Sequence, residues 1–148
     1  MNNSRLMIPV LFVGVLLGIA ACGKKGPPFL PQKDVPVRVS DLKGEWADGN
    51  IVLKGKISGV KDAKEAKEQV KGCRVYYGQY PLDDPPCDDC PIKYQGYQTF
   101  GPEVISEEGF RCKLPVKIRG QIYFIEVHLI GPKGTLGPPS NRIKVVVK

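Results

Sequence analysis

The chain has 148 residues, of which 42% are hydrophobic and 25% charged, with a formal net charge of +7. That balance excludes bulk disorder, and 17 glycines with 14 prolines argue against a helical bundle. A single His, one Trp and two Met leave little material for haem ligation or histidine-based catalysis.

Residues 1–21 read as a secretory signal peptide: Arg5, an apolar run from Leu6 to Ala21, then small residues. The run falls short of the roughly 20 residues a bilayer span needs, and Pro9, Gly14 and Gly18 interrupt it. Ile19-Ala20-Ala21-Cys22 resembles the lipobox of bacterial lipoproteins. The resemblance implies that Cys22 is acylated on sulfur, cut free and acylated again on its new amino group, with fatty chains such as palmitate. Several chains are needed because one acyl chain alone binds a membrane only marginally. This covalent lipid is the only non-protein group expected; no cofactor or metal is. Gly23, where enteric sorting signals carry Asp, implies an outer-membrane destination, facing the periplasm or the cell surface.

Residues 22–35 then form the lipidated cysteine and a linker. Pro27, Pro28 and Pro31 stiffen it, and at about 3.1 Å per residue it reaches roughly 40 Å. Cys22-Gly23-Lys24-Lys25-Gly26-Pro27 is similar to the mature start of the short lipoprotein that helps assemble the lipopolysaccharide translocon. That implies a docking peptide for an outer-membrane complex. Read from the residues alone, the same segment is a tether whose basic pair sits on anionic headgroups.

From residue 36 to 148 the pattern has period two, punctuated by Gly, Pro and Asp-Gly. It predicts strands at Val37–Leu42, Asn50–Ile57, Cys73–Tyr80, Lys93–Phe100, Glu108–Val116, Gln121–Ile130 and Asn141–Val147. Lys61–Lys71, of mixed sign, reads as a solvated loop with a turn or two of helix. Seven short strands and no long helical stripe predict an all-β sandwich.

These strands resemble a fibronectin type III (immunoglobulin-like) domain. Gly72–Gly78 matches strand C, Gly120–Val127 strand F, and Pro139–Val145 strand G. The resemblance implies that Tyr123 is the tyrosine-corner residue, its hydroxyl on backbone at the turn before strand F. Two departures stand out: the family's strand-B Trp is replaced by Leu53 or Gly55, and Lys117 occupies the position of a Leu before the corner.

Apart from Cys22 there are four cysteines, and an even number in an exported domain reads first as disulfides. In the sandwich arrangement Cys73 and Cys112 both face the core from opposite sheets, so a bridge between them requires the sheets to pinch. Cys87 and Cys90 lie in Pro86-Cys87-Asp88-Asp89-Cys90-Pro91, on the long connection after strand C, expected near the end of the sandwich remote from Cys73. Cys-x-x-Cys-Pro on that loop also resembles a group of bacterial lipoproteins with fibronectin-like domains. Three readings stand for this motif: a local disulfide, a redox pair led by Cys87, or a metal site. Asp83, Asp84, Asp88 and Asp89 oppose the redox reading, because negative charge raises a thiol pKa. A four-sulfur metal site needs both ends of the sandwich to meet.

No catalytic set emerges. His128 alternates onto the outward face of strand F, and neither a phosphate loop nor a nucleophile elbow is present. Dispersed Lys and Arg argue against nucleic acid. The expectation is a lipid-anchored, non-enzymatic interaction or structural module that meets an envelope protein partner through edge strands and aromatics such as Tyr76, Tyr94, Tyr97 and Phe100. Its rivals are a thiol–disulfide accessory using Cys87 and Cys90, and an outer-membrane assembly factor using residues 22–31.

Overall fold

A computed structural model describes residues 37–148; the signal, the lipid site at Cys22 and the linker lie outside the described residues. Strand β1 (Arg38–Ala47) turns through Asp48-Gly49 into β2 (Asn50–Ser58). Both turn residues have positive φ, 50° and 76°, the geometry that matches the twist of two antiparallel strands and that Asp-Gly adopts most cheaply. β1 runs five residues beyond its expected end at Leu42. A bulge between Ser40 and Lys43, with Asp41 at φ 51°, shifts the inward phase by one residue. The alternation breaks there although the strand continues.

Helix α1 (Ala63–Gln69) follows. Asp62 caps it by accepting from the Glu65 N–H at 2.8 Å, and Glu65 reaches back to the Lys61 N–H at 2.8 Å, a reciprocal cap that starts a short helix. Its Ala66 and the following Val70 are fully buried, so the charged run contributes to the core as well as to the surface.

Next come β3 (Gly72–Pro81), β4 (Gly96–Phe100), a 3-10 turn at Pro102–Val104, β5 (Ile105–Ser106), β6 (Gly109–Pro115), β7 (Gln121–Ile130), β8 (Leu136–Pro139) and β9 (Ile143–Val147). Sheet A has the order β1-β2-β6-β5; sheet B has the order β4-β3-β7-β8, with β9 also on β7. All pairings are antiparallel. The result is the two-sheet sandwich the alternation predicts, with two strands more than the expected seven. β5 is only two residues long, and the last strand is split into β8 and β9.

The split has a local cause. Pro138 and Pro139 lack N–H groups, and Ser140 repairs the gap: its N–H bonds to the Val127 carbonyl at 2.9 Å and its Oγ accepts from the Val127 N–H at 3.0 Å. Asn141 then bridges to sheet A, its amide pairing with both the N–H and the carbonyl of Leu42 at 2.8 and 3.0 Å. One side chain thereby satisfies the backbone that the β1 bulge withdraws from its ladder.

The core lies between the sheets. Val39, Ile51, Leu53, Val75, Phe110, Leu114, Ile125, Val127 and Val147 are all buried there. Lys54 and Lys56 point outward, as their alternation predicts.

Candidate interaction face and cysteine sites

On the outer face of sheet B, Ile122 and Phe124 are 4% and 2% exposed yet stand apart from the cluster between the sheets. Residues 82–95 cover them. This strap crosses directly over Gly78, where an added Cβ would lie 2.9 Å from the Lys93 carbonyl and 3.2 Å from Ile92. Only a glycine lets the strap approach so closely. Tyr80 stands edge-on to Phe124 at 5.7 Å, and its hydroxyl binds both the carbonyl and the N–H of Lys93. Gln79 and Gln95 exchange two further bonds at 2.8 and 2.9 Å.

Cys87 and Cys90 form a disulfide in the strap, with Cα atoms 5.1 Å apart. The Cys90 N–H returns to the Cys87 carbonyl at 3.1 Å. The Arg142 guanidinium donates to the carbonyls of Cys90 and Asp88 at 3.0 and 2.5 Å, and Lys144 pairs with the Asp88 carboxylate at 3.0 Å. The motif was expected near the end of the sandwich. It lies instead beside β9, because the apolar outer face of β7 and two cations hold the strap down. The sulfurs sit in a turn rather than at a helix start, so no helix dipole favours a thiolate.

Beyond the strap an aromatic cluster continues across the face. Tyr76 lies 5.5 Å from Tyr97, 6.0 Å from Tyr94 and 5.3 Å from His128. Arg74 stacks 4.5 Å over Tyr97 and bonds to the Tyr76 hydroxyl. His128 has both ring nitrogens occupied, by the Gly137 carbonyl and the Glu126 carboxylate, each at 2.9 Å. The Tyr94 hydroxyl donates to the other Glu126 oxygen at 3.0 Å. Burial, and then this bond to a carboxylate, push the Tyr94 pKa well up. Of the four aromatics expected to meet a partner, Tyr97 is 55% exposed. Tyr76 and Tyr94 are half-buried within the cluster, and Phe100 packs against the core.

Tyr123 donates to the Ile118 carbonyl at 3.1 Å and accepts from Gln79. Its hydroxyl ties the β6–β7 turn to β7, and burial raises its pKa. A groove of about 440 Å³ opens beside it, lined by Tyr77, Gln98, Leu114, Lys117 and Ile118 among others.

Cys73 and Cys112 are buried in the core, 0% and 4% exposed. The expected bridge between them is not formed: both are free thiols. The hydrogen bond to Cys112, together with burial, raises the Cys73 pKa strongly. The four cysteines thus occupy two separate places, and among the described residues no group of three or more His, Cys, Asp or Glu gathers to hold a metal.

The strap escaped the sequence reading, although a signal was present. Ile122-Tyr123-Phe124-Ile125 is a continuous apolar run, and a strand of that kind is covered on both faces.

No protein-family model matches the chain, and no curated protein matches it. Among solved structures it is similar to the third fibronectin III domain of the human KIAA0343 protein, at 18% identity and a TM-score of 0.52, over 84% of this chain and 93% of that one. It is also similar to a structure described as a myokine, at 14% identity and a TM-score of 0.49, over 76% of this chain and 97% of the other. The described residues form a fibronectin type III-like β-sandwich.

Proposed function

We propose that this chain is an exported, lipid-anchored envelope protein that holds a non-catalytic fibronectin-like module near an outer membrane. The observation that carries this is the order of parts. A short apolar segment ends in Ile19-Ala20-Ala21-Cys22, and a proline-rich linker then leads into a sandwich with a disulfide in its loop. A disulfide fits an oxidising compartment, and acyl chains on Cys22 supply the anchor. The exposed edge of β4, with Tyr97, is the surface offered to an envelope protein partner, which would add a strand there.

The test is labelling with a fatty-acid analogue in the bacterial host. The chain is expected to carry label and to fractionate with membranes, and Cys22→Ala to lose both. An unlabelled chain, or an unchanged Cys22→Ala variant, would overturn the reading.

A further inference from the structure

The two outer faces of the sandwich differ in charge, and that of sheet A is the cationic one. Sheet A presents Arg38, Lys43, Lys54, Lys56, Arg111 and Lys113, all exposed. By register Lys54 faces Lys43 across one neighbouring strand and Arg111 across the other. Like charges directly opposite destabilise a sheet. Glu45 and Asp41 pair with Lys54 and Lys56, each at 3.1 Å, and Glu108 borders a cleft it shares with Lys54 and Arg111. Lys43, Arg111 and Lys113 have no ion pair among the described residues. On the opposite side the strap exposes Asp83, Asp84, Asp88 and Asp89 against the single cation Lys93, while Arg142 and Lys144 beside it hold it down. A sandwich charged in this way has a preferred orientation in a field.

We infer that the outer face of sheet A docks on the phosphate layer of an anionic membrane, leaving the acidic strap and the aromatic cluster of sheet B turned outward. The inference rests on the anchored reading, which supplies the membrane. β1, which follows the linker in sequence, is the edge strand of this sheet. Headgroup phosphates offset the cross-strand repulsion, and the acidic strap would be repelled if the domain turned over.

The test uses residues 22–148 with Cys22→Ser, so that no acyl chain contributes. Probes are vesicles of equimolar phosphatidylglycerol and phosphatidylcholine, and vesicles of phosphatidylcholine alone. Binding to the anionic vesicles, weakened by salt and absent on the neutral ones, is expected. The triple variant Lys43→Gln/Lys54→Gln/Arg111→Gln should lose roughly 100-fold in affinity, at about tenfold for each 1.4 kcal/mol, and should melt no lower than its parent. Lys64→Gln/Lys67→Gln/Lys71→Gln removes the same charge from around α1 and should lose less than tenfold. Equal losses in the two variants, equal binding to neutral vesicles, or no vesicle binding would overturn the inference. Tighter binding to a DNA duplex would reassign the face and overturn it as well. An unacylated native chain would sink the anchor reading while leaving the vesicle result intact, so the two failures are distinct.

Discussion

Phe124→Ala tests whether the strap is part of the folded structure or a loop merely hung on it. Phe124 is 2% exposed and is buried by residues 82–95 rather than by the other sheet. An aromatic side chain buries about 150 Å² or more, which at roughly 25 cal/mol per Å² is near 4 kcal/mol. The edge-on contact with Tyr80 at 5.7 Å and 85° adds about 0.5–1.5 kcal/mol. A surface strap settles partly into the space left, so the net loss should be about 3 kcal/mol, the low end for Phe→Ala. For a domain of this size that lowers the melting temperature by about 12 °C. Thermal unfolding followed by circular dichroism reads the loss. Tryptic cleavage after Lys93 at low temperature reads its location, and should become much faster in the variant while the strands stay protected. Phe124→Leu should lose only about 1 kcal/mol. A loss below about 1 kcal/mol for Phe124→Ala, with unchanged cleavage at Lys93, would refute the second small core.

Cys87→Ser/Cys90→Ser should lose about 2 kcal/mol, the chain-entropy value for so short a loop, and should speed the same cleavage without unfolding the sandwich. Asn141→Ala strips the N–H and carbonyl of Leu42 of their partner and should lose about 2 kcal/mol in urea unfolding. The raised pKa of Tyr94 comes first from burial and then from its bond to Glu126. The folded state therefore favours the neutral phenol. The linked stability is fully present below the ordinary tyrosine value of 10.0 and is lost as pH rises through the higher folded value. Urea melts should weaken from pH 10 upward, and Tyr94→Phe should flatten that slope.

The sheet framework was legible because most strands are buried on one face, so their alternation reports the core directly. Tyr123, Ile125, Val127 and Leu129 on β7, and Ile51 and Leu53 on β2, face inward as read. What failed to show has a physical cause in each case. The bulge at Asp41 shifted the phase of β1 and made one strand look finished. Pro138 and Pro139 concealed β8, because a strand whose ladder is completed by the Ser140 hydroxyl leaves no periodic trace. The 3-10 turn at Pro102–Val104 and the short β5 are too brief to carry a period. For the candidate site, the Cys87–Cys90 disulfide and the outward position of His128 were readable. The strap's resting place was not. It depends on Gly78, Phe124, and Arg142 with Lys144, from three stretches distant in sequence, and only the apolar run on β7 hinted at a covered face. The charge separation between the two outer faces likewise needs the register, which sets Lys54 between Lys43 and Arg111.

The most direct measurement is the intact, non-reduced mass of the chain recovered from its host's envelope. A polypeptide beginning at Cys22, carrying the mass of its acyl chains and taking up alkylating reagent after denaturation only at Cys73 and Cys112, is the predicted result. A chain that keeps residues 1–21, lacks acyl mass, or is alkylated at Cys87 and Cys90 would contradict it.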